Sequence, residues 1–449
     1  MNDAIRMTRS VCPICMRNIE ASLVRDEAGT IYMEKACEEH GAFRVPVWRG
    51  KMDFESWVGC CTPDLAGDLG KGCPQNCGIC SEHERGSCCV LLEVTDRCNL
   101  NCKFCFANGG TGEADTRNAS GAQEENKARI SELPLDKLKS NIQDIVSQCK
   151  EPLLQLSGGE PTLRDDLPEL VKFAKKAGCS YVQINTNGIR LATDEAYVKA
   201  LAEAGTDIIF LQFDGTKDEI YEKLRGKALL EIKKKAIENC SKERMGVTLV
   251  PTIVSGVNDQ NIGDLIRFAA NQIPGVRGIH FQPVSYFGRY PDNPLGEERY
   301  TLDQLMADIS SQAGIDMKSF KPSCCDHPLC GFHSDYLVEP SGKLRSLSSA
   351  SHSAKEQGCC AKDNREYVAR HWRRPPEEIE PEHLFEEEMD LDTFLYCFNH
   401  RSLTLSAMAF QDAGNLNIER LHRCSLHVYN HGKIIPFCAN YLTPIKRSV

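Results

Sequence analysis

The sequence predicts an α/β chain: a partial (β/α)6 barrel flanked at each end by a small cysteine-rich, metal-binding domain. Three observations lead there. From about residue 90 to 290, short apolar strands alternate with stretches of helical periodicity. Twenty-four cysteines crowd mainly into two blocks, residues 12–105 and 324–438, rather than spreading evenly through 449 residues. Composition is that of an ordinary globular protein, 41% hydrophobic and 26% charged, with no run of 18 apolar residues to span a bilayer. The length suggests two or three units, and the pattern sets them at 1–60, 61–89, 90–290 and 291–449, the second being a short connecting cluster segment.

Taken in order, the first unit carries two knuckles, Cys12-Pro-Ile-Cys15 and Cys37-Glu-Glu-His40. Between them, arms at 23–25 and 30–33 fold around Asp26-Glu27-Ala28-Gly29 as a hairpin. Cys-x2-Cys with Cys-x2-His is the spacing of a tetrahedral ribbon holding one zinc or one iron. Cys60 and Cys61 compete with His40 for the fourth position. The second segment centres on Cys73, Cys77 and Cys80, with Cys88 or Cys89 close enough to complete a four-thiolate set. Four thiolates leave no open iron, which describes an auxiliary [4Fe–4S] electron-transfer cluster; a four-thiolate zinc site is the alternative.

The third unit has candidate strands at 90–94, 153–156, 181–185, 208–213, 247–254 and 279–284. Helical patterns fill 135–149, 167–177, 195–204, 220–238 and 262–272. Such alternation implies a parallel sheet with right-handed crossovers, and six units rather than eight imply a partial barrel. Active sites on such sheets lie at the C-terminal ends of the strands. Directly after the first strand stands Cys98-Asn-Leu-Asn-Cys102-Lys-Phe-Cys105. Three thiolates at this spacing can wrap three corners of a [4Fe–4S] cube, leaving the fourth iron open to a substrate or cofactor. Residues 107–132 read as a long polar loop, and Cys149, Cys179 and Cys240 as buried core thiols.

In the last unit, Cys325, Cys330, Cys424 and Cys438 form the preferred set for a second auxiliary cluster. Cys324 rivals Cys325, Cys359 and Cys360 read as free thiols, and 373–392 as an acidic, solvated stretch. A net charge of −10 argues against a general nucleic-acid binder. Residues 1–10 lack a secretory pattern, so the thiols are expected in a reducing cytoplasm, with at most peripheral membrane contact.

With its triplet in that place, the chain resembles the radical S-adenosylmethionine (radical SAM) superfamily. Ser157-Gly158-Gly159-Glu160-Pro161 looks like that superfamily's glycine-rich segment beside the methionine end of SAM. Asn185, Asn187, Gln212, Asp214, Thr252 and Gln282 end successive strands with polar groups that would line one mouth. The resemblance implies that the open iron chelates SAM, that one electron breaks the S–C5′ bond, and that the 5′-deoxyadenosyl radical abstracts hydrogen from an unactivated carbon. It also implies a low-potential donor such as ferredoxin or flavodoxin.

The whole layout is similar to a narrower group, which contains the archaeal tetraether lipid synthase and proteins described as pterin methyltransferases acting without cobalamin. The shared motifs stand here at 12–41, 73–80, 93–102, 212–215, 250–259 and 434–438, while residues after 345 depart from the pattern. The group implies three [4Fe–4S] clusters, SAM and one mononuclear zinc or iron. It also implies C–C bond formation at unactivated carbon. Lipid-chain coupling is the first expectation, with methylation of a pterin or related heterocycle second and an iron–sulfur electron carrier as the non-enzyme rival. A lipid would need an apolar tunnel to the surface; a pterin would need paired amide or carboxylate groups.

Overall fold

The computed structural model describes residues 4–59, 72–75, 77–107, 132–290, 295–323, 325–347, 361–376, 378–381, 384 and 390–445. Cys60, Cys61, Cys324, Cys359, Cys360, most of the 107–132 loop and part of 373–392 lie outside these residues.

The N-terminal unit is an antiparallel meander of β1 (Ala4–Val11), β2 (Asn18–Arg25), β3 (Ile31–Cys37) and β4 (Gly41–Trp48), followed by α1 (Phe54–Val58). Its hairpin turns where expected: the Asp26 carboxylate accepts from the N–H groups of Ala28 and Thr30, and Gly29 takes a positive φ of 86°. The meander is fastened to the rest of the chain by buried polar contacts. Lys35 donates to Ala413 O at 2.8 Å and Thr8 to Asn417 Oδ1 at 2.8 Å, while both oxygens of Asp303 accept from Arg49 N.

The core runs β5 (Cys89–Thr95), α2 (Leu135–Gln148), β6 (Leu153–Gly158), α3 (Leu167–Ala177), β7 (Tyr181–Thr186), α4 (Ile189–Thr193), α5 (Glu195–Glu203) and β8 (Ile208–Gln212). It continues with α6 (Asp218–Arg225), α7 (Leu230–Lys242), β9 (Gly246–Val250), β10 (Thr252–Ile253), α8 (Ile262–Ala270) and β11 (Val276–Pro283). Strands 5, 6, 7, 8, 9 and 11 stand side by side in chain order, all parallel. Their apolar residues alternate between an outer layer packed on the helices and an inner face. Cys149, Cys179 and Cys240 are buried among these helices, as core thiols should be.

Two boundaries differ from the sequence pattern, each for a local reason. The single helix expected over 220–238 is two, because Gly226 ends α6 in the left-handed region at φ 80°. Asp218 then accepts from the N–H groups of Leu229 and Leu230 and so caps α7. The strand expected over 247–254 breaks at Pro251, which has no N–H for a ladder, and resumes as β10 paired with β11.

Residues from 291 onward add to the same sheet. They form α9 (Leu302–Ala313), β12 (Lys321–Pro322), β13 (Gly331–Val338), β14 (Leu344–Ser346), α10 (Ala361–Trp372) and α11 (Leu391–His400). The chain then closes with β15 (Ser402–Met408), α12 (Ile418–His422), β16 (Leu426–Asn430), β17 (Lys433–Pro436) and α13 (Phe437–Asn440). Strand β15 lies parallel to β11 at one edge of the six and β16 parallel to β5 at the other. Among the described residues the full order is β12-β13-β15-β11-β9-β8-β7-β6-β5-β16-β17, and its two end strands do not pair, so the barrel stays open. It is nevertheless curled: Leu91 on β5, Gln155 on β6, His280 on β11 and Ser406 on β15 line one common lumen.

α10 plugs the bottom of that lumen. A Cβ on Gly246 would lie 2.3 Å from Trp372 O, and one on Gly278 would lie 3.4 Å from the Trp372 indole nitrogen. Glycine at these two inward positions therefore admits the last turn of α10. Among the described residues no helix is long and apolar enough to cross a membrane.

Candidate active site and cysteine centres

The C-terminal ends of the core strands open on a cavity of about 160 Å³ lined by Cys98, Cys102 and Cys105. No other cysteine lines it among the described residues. Three thiols and no fourth are the donor set for a cube with one iron left open, so the residues present fit a SAM-binding [4Fe–4S] cluster. Burial drives the Cys98 thiol up to about 12, with the Glu160 carboxylate adding to the effect. A bound metal would have to hold that sulfur as thiolate.

Gly158, Gly159, Glu160, Asn185, Asn187, Gln212, Thr252 and Gln282 line the same cavity. The paired glycines have a packing reason. A Cβ on Gly158 would sit 2.1 Å from Thr95 O, and one on Gly159 would sit 2.2 Å from Arg97 O. Instead Gly159 N–H donates to Thr95 O and Glu160 N–H to Arg97 O, each at 2.7 Å. The glycines thus press the end of β6 onto the segment that delivers Cys98. Glu160 is almost fully buried and accepts from Thr162 N and Oγ1, Thr186 Oγ1 and Asn187 N. Its carboxylate ties the ends of β6 and β7 together rather than standing free for a ligand.

Two expected residues do not line the mouth. Asp214 is turned into a two-pronged ion pair with Arg225, both bonds 2.7 Å, because α6 brings the arginine beneath the end of β8. Ser157 is covered by Asn185, whose amide donates to Ser157 Oγ at 3.2 Å.

Two cations at the site escaped the sequence reading. Arg225 lines the mouth, donates to Thr252 Oγ1 at 3.0 Å and to Phe104 O at 3.3 Å, and lies within hydrogen-bonding reach of the Cys102 thiol. Lys233 is fully buried, donates to Asn187 O and to Gln212 Oε1, and is lowered by burial to about 8. One signal was available for it: position 233 falls on the stripe Leu229, Lys233, Ala236, Ile237, Cys240, apolar at every other place.

The N-terminal knuckles meet. One ligand atom each from Cys12, Cys15, Cys37 and His40 lies within 4.8 Å of the others. Cys37 Sγ stands 3.5 Å from His40 Nδ1, a contact that lowers the Cys37 thiol to about 6. Four donors of this kind fit zinc or a single iron.

At the middle segment, Cys77 donates to Cys73 across 3.3 Å, which lowers the Cys73 thiol and raises that of Cys77. Cys80 and Cys424 both lie within electrostatic reach of Cys77. Cys88 lines the barrel lumen, its backbone N–H bonded to Ser425 O beside Cys424. Cys424 also faces Cys330 and Cys438, and Cys325 is buried nearby in sequence to Cys330. Arg420 Nε donates to Cys330 Sγ and Gln411 N to Cys438 Sγ, both at 3.3 Å. N–H groups aimed at buried sulfur are the usual support of cluster thiolates.

Below the mouth, and sharing Asn185, Gln282, Phe106 and Phe410 with it, lies a lumen cavity of about 380 Å³. Its floor is Tyr367, Val368 and Trp372 of α10.

Compared with known proteins, residues 92–269 match the family described as the radical SAM superfamily, and residues 4–49 match the HMPTM N-terminal zinc ribbon domain. The chain is 33% identical to the 7,8-dihydro-6-hydroxymethylpterin dimethyltransferase of Methanocaldococcus jannaschii, over 96% of this chain and 92% of that one. It is 28% identical to the GTP 3′,8-cyclase of Limosilactobacillus fermentum, over 52% of this chain and 65% of the other. Among solved structures, Streptococcus suis SuiB bound to S-adenosylmethionine aligns with a TM-score of 0.39 and 14% identity, over 52% of this chain and 48% of that one.

Proposed function

The chain is a radical SAM enzyme of the family that includes the pterin dimethyltransferase, and from that membership we propose that it methylates a pterin or a closely related fused heterocycle. The observation that carries this reading is likeness to that enzyme along nearly the whole of both chains, metal-binding ends included. Lipid-chain coupling, the first expectation from the sequence, has less support. The lumen is closed at one end by α10, and its largely apolar wall carries the amides of Gln155 and Gln183 among its polar groups, whereas a lipid chain calls for an apolar tunnel running out to the surface.

When bound, SAM and its cluster supply a 5′-deoxyadenosyl radical. The chain's own part is placement. Cys98, Cys102 and Cys105 hold the cluster, and Gly158–Glu160 lock its loop against β6. Lys233 fixes the ends of β7 and β8 by bonding Asn187 O and Gln212 Oε1. The aromatic wall of the lumen keeps water from the reacting centre. Two auxiliary clusters complete the proposal: one on Cys73, Cys77 and Cys80 with Cys88 or Cys89 as fourth ligand, and one on Cys325, Cys330, Cys424 and Cys438. The ribbon metal sits on Cys12, Cys15, Cys37 and His40, and a low-potential ferredoxin or flavodoxin supplies electrons.

The test is anaerobic turnover with SAM, dithionite and 7,8-dihydro-6-hydroxymethylpterin. Formation of 5′-deoxyadenosine together with a pterin heavier by one or two methyl groups is the expected result. If 5′-deoxyadenosine accumulates while the pterin mass never changes, the substrate assignment falls. The same preparation should carry about twelve irons in cubane clusters plus one ribbon metal; only about four irons after full reconstitution would overturn the auxiliary clusters.

A further inference from the structure

Side chains of neighbouring strands stand in one row beneath the mouth. His280 on β11 lies opposite Ser406 of β15, and Ser406 lies opposite His333 of β13. On the other side, the pairing of Ile279 with Leu249 sets His280 beside Val250, which in turn pairs with Gln212. Gln212 and Val250 line the mouth, whereas His280, Ser406 and His333 line the lumen. Inward positions alternate along β11, so the next one up is Gln282, which lines both cavities. The row therefore carries a histidine from the lumen wall to the edge of the cysteine-lined mouth.

That histidine has the form of a base. It is half-buried, and the surface it keeps faces the lumen it lines. Ser406 Oγ stands 2.9 Å from its Nδ1, and the carbonyl within reach of the hydroxyl is Ile279 O at 3.5 Å. With the hydroxyl proton directed to that carbonyl, Oγ accepts from Nδ1–H and the lone pair falls on Nε2. Nε2 bonds to no described residue and is not sealed in, unlike His327 Nε2 or His427 Nδ1. Burial lowers the imidazole to about 4, so it is neutral at pH 7. The uncharged rings of Phe210 and Trp372 flank it, their centroids 5.3 and 5.7 Å away. Among the described residues no lysine or arginine lines the lumen. Of its other titratable groups, Asp326 accepts from Ser425 N–H, Tyr367 O–H donates to Asp335, and burial keeps the Cys89 thiol protonated. His333, near Asp335, Lys321 and His371, lies beyond Ser406 from the mouth.

A carbon radical acidifies an N–H or O–H on the neighbouring atom, and a base in contact with that group draws its proton off. A 7,8-dihydro-6-hydroxymethylpterin has both patterns, a CH2 beside a ring N–H and a CH2 bearing a hydroxyl. We propose that His280 is a catalytic base of the radical step, its Nε2 accepting the hydrogen bond and then the proton of an N–H or O–H next to the substrate's radical carbon. The bonding pair stays on the substrate, which becomes a radical anion; His280 becomes an imidazolium, and no electron changes hands. Ser406 is the positioning residue that keeps the ring turned and Nε2 unprotonated. The pterin rests on the function proposed above; the row and its open nitrogen rest on the structure.

The test is anaerobic turnover of the full-length, cluster-loaded protein with SAM, dithionite and 7,8-dihydro-6-hydroxymethylpterin, measuring pterin Kd, 5′-deoxyadenosine and methylated pterin together. His280→Gln keeps a polar side chain that takes up no proton. It should bind the pterin as wild type does and still form 5′-deoxyadenosine, while methylated pterin falls about a hundredfold, within the range for loss of a general base. In His280→Ala, added imidazole should restore part of that loss. Methylation by His280→Gln at the wild-type rate, or a loss confined to Kd, would overturn the base and leave the pterin reading intact. If His280→Gln fails to hold its iron, Ser406→Ala, which keeps the imidazole but frees Nδ1, carries the test. A fall of about tenfold in methylated pterin at unchanged Kd is then expected, and wild-type turnover overturns the proposal. A wild-type protein that forms 5′-deoxyadenosine but never methylates the pterin would overturn both readings.

Discussion

Arg225 shows how much of this site is held by contacts among its own residues. It is 5% exposed, and the Asp214 carboxylate grips it with two bonds of 2.7 Å. Removing one partner of a buried pair strands the other charge and costs about 3–5 kcal/mol. Asp214→Asn should therefore destabilise the fold by that order in urea titrations. It should also loosen the Cys102 loop that Arg225 supports, read as lower iron retention on dilution. Wild-type stability with full iron would show that the pair carries little. From sequence, Gln212-Phe213-Asp214-Gly215 was legible as a polar strand end. Whether its carboxylate faces the mouth or turns aside depends on Arg225, eleven residues later on a different element, and spacing along the chain does not encode that turn. Candidate cysteine ligands stand out more readily in a sequence because metal chemistry restricts both residue type and spacing. Cys12, Cys15, Cys37 and His40 do converge, whereas Cys424, which comes within electrostatic reach of Cys77, lies 347 residues from it, and no local spacing marks that proximity.

At the level of elements, α10 is where packing rather than pattern decides the outcome. Glycine inside a strand signals that something approaches closely, and Gly246 and Gly278 carried that signal without saying what approaches. The answer is a helix from more than eighty residues downstream. Gly246→Ala would place a methyl 2.3 Å from Trp372 O, a backbone atom that cannot swing away. Overpacking of this kind costs about 1–3 kcal/mol. The expected result is a lower denaturation midpoint together with changed tryptophan emission as Trp372 shifts; an unchanged protein would mean that α10 is loosely seated. The six core strands were readable because each is a short apolar run between turn residues. The outer pair, β15 and β16, was not, since Ser402–Met408 and Leu426–Asn430 alternate polar and apolar residues like any surface strand until their neighbours are known.

For the whole molecule, burial of neutral histidines sets an acid limit. His280 is lowered from 6.5 to about 4 and His427 to about 3, chiefly by desolvation. Below pH 6.5 the unfolded chain takes up protons that the folded one refuses, so stability falls as pH drops from 6.5 towards 4, by about 1.4 kcal/mol per pH unit for each such histidine. Urea midpoints at pH 7, 6 and 5 should show this decline, and His280→Gln should flatten it; identical slopes in the two proteins would count against the assignment. The placing of β15 and β16 on opposite flanks of the core has a bearing on how the protein is made. A nascent polypeptide that has left the ribosome as far as residue 290 holds all six central strands, but the hydrogen-bonding groups along the outer sides of β5 and β11 still face water. Unpaired strand edges of that kind invite pairing with other chains. The barrel is therefore vulnerable throughout the synthesis of its last third, and the growing chain is safest in the company of a chaperone until residue 430 emerges.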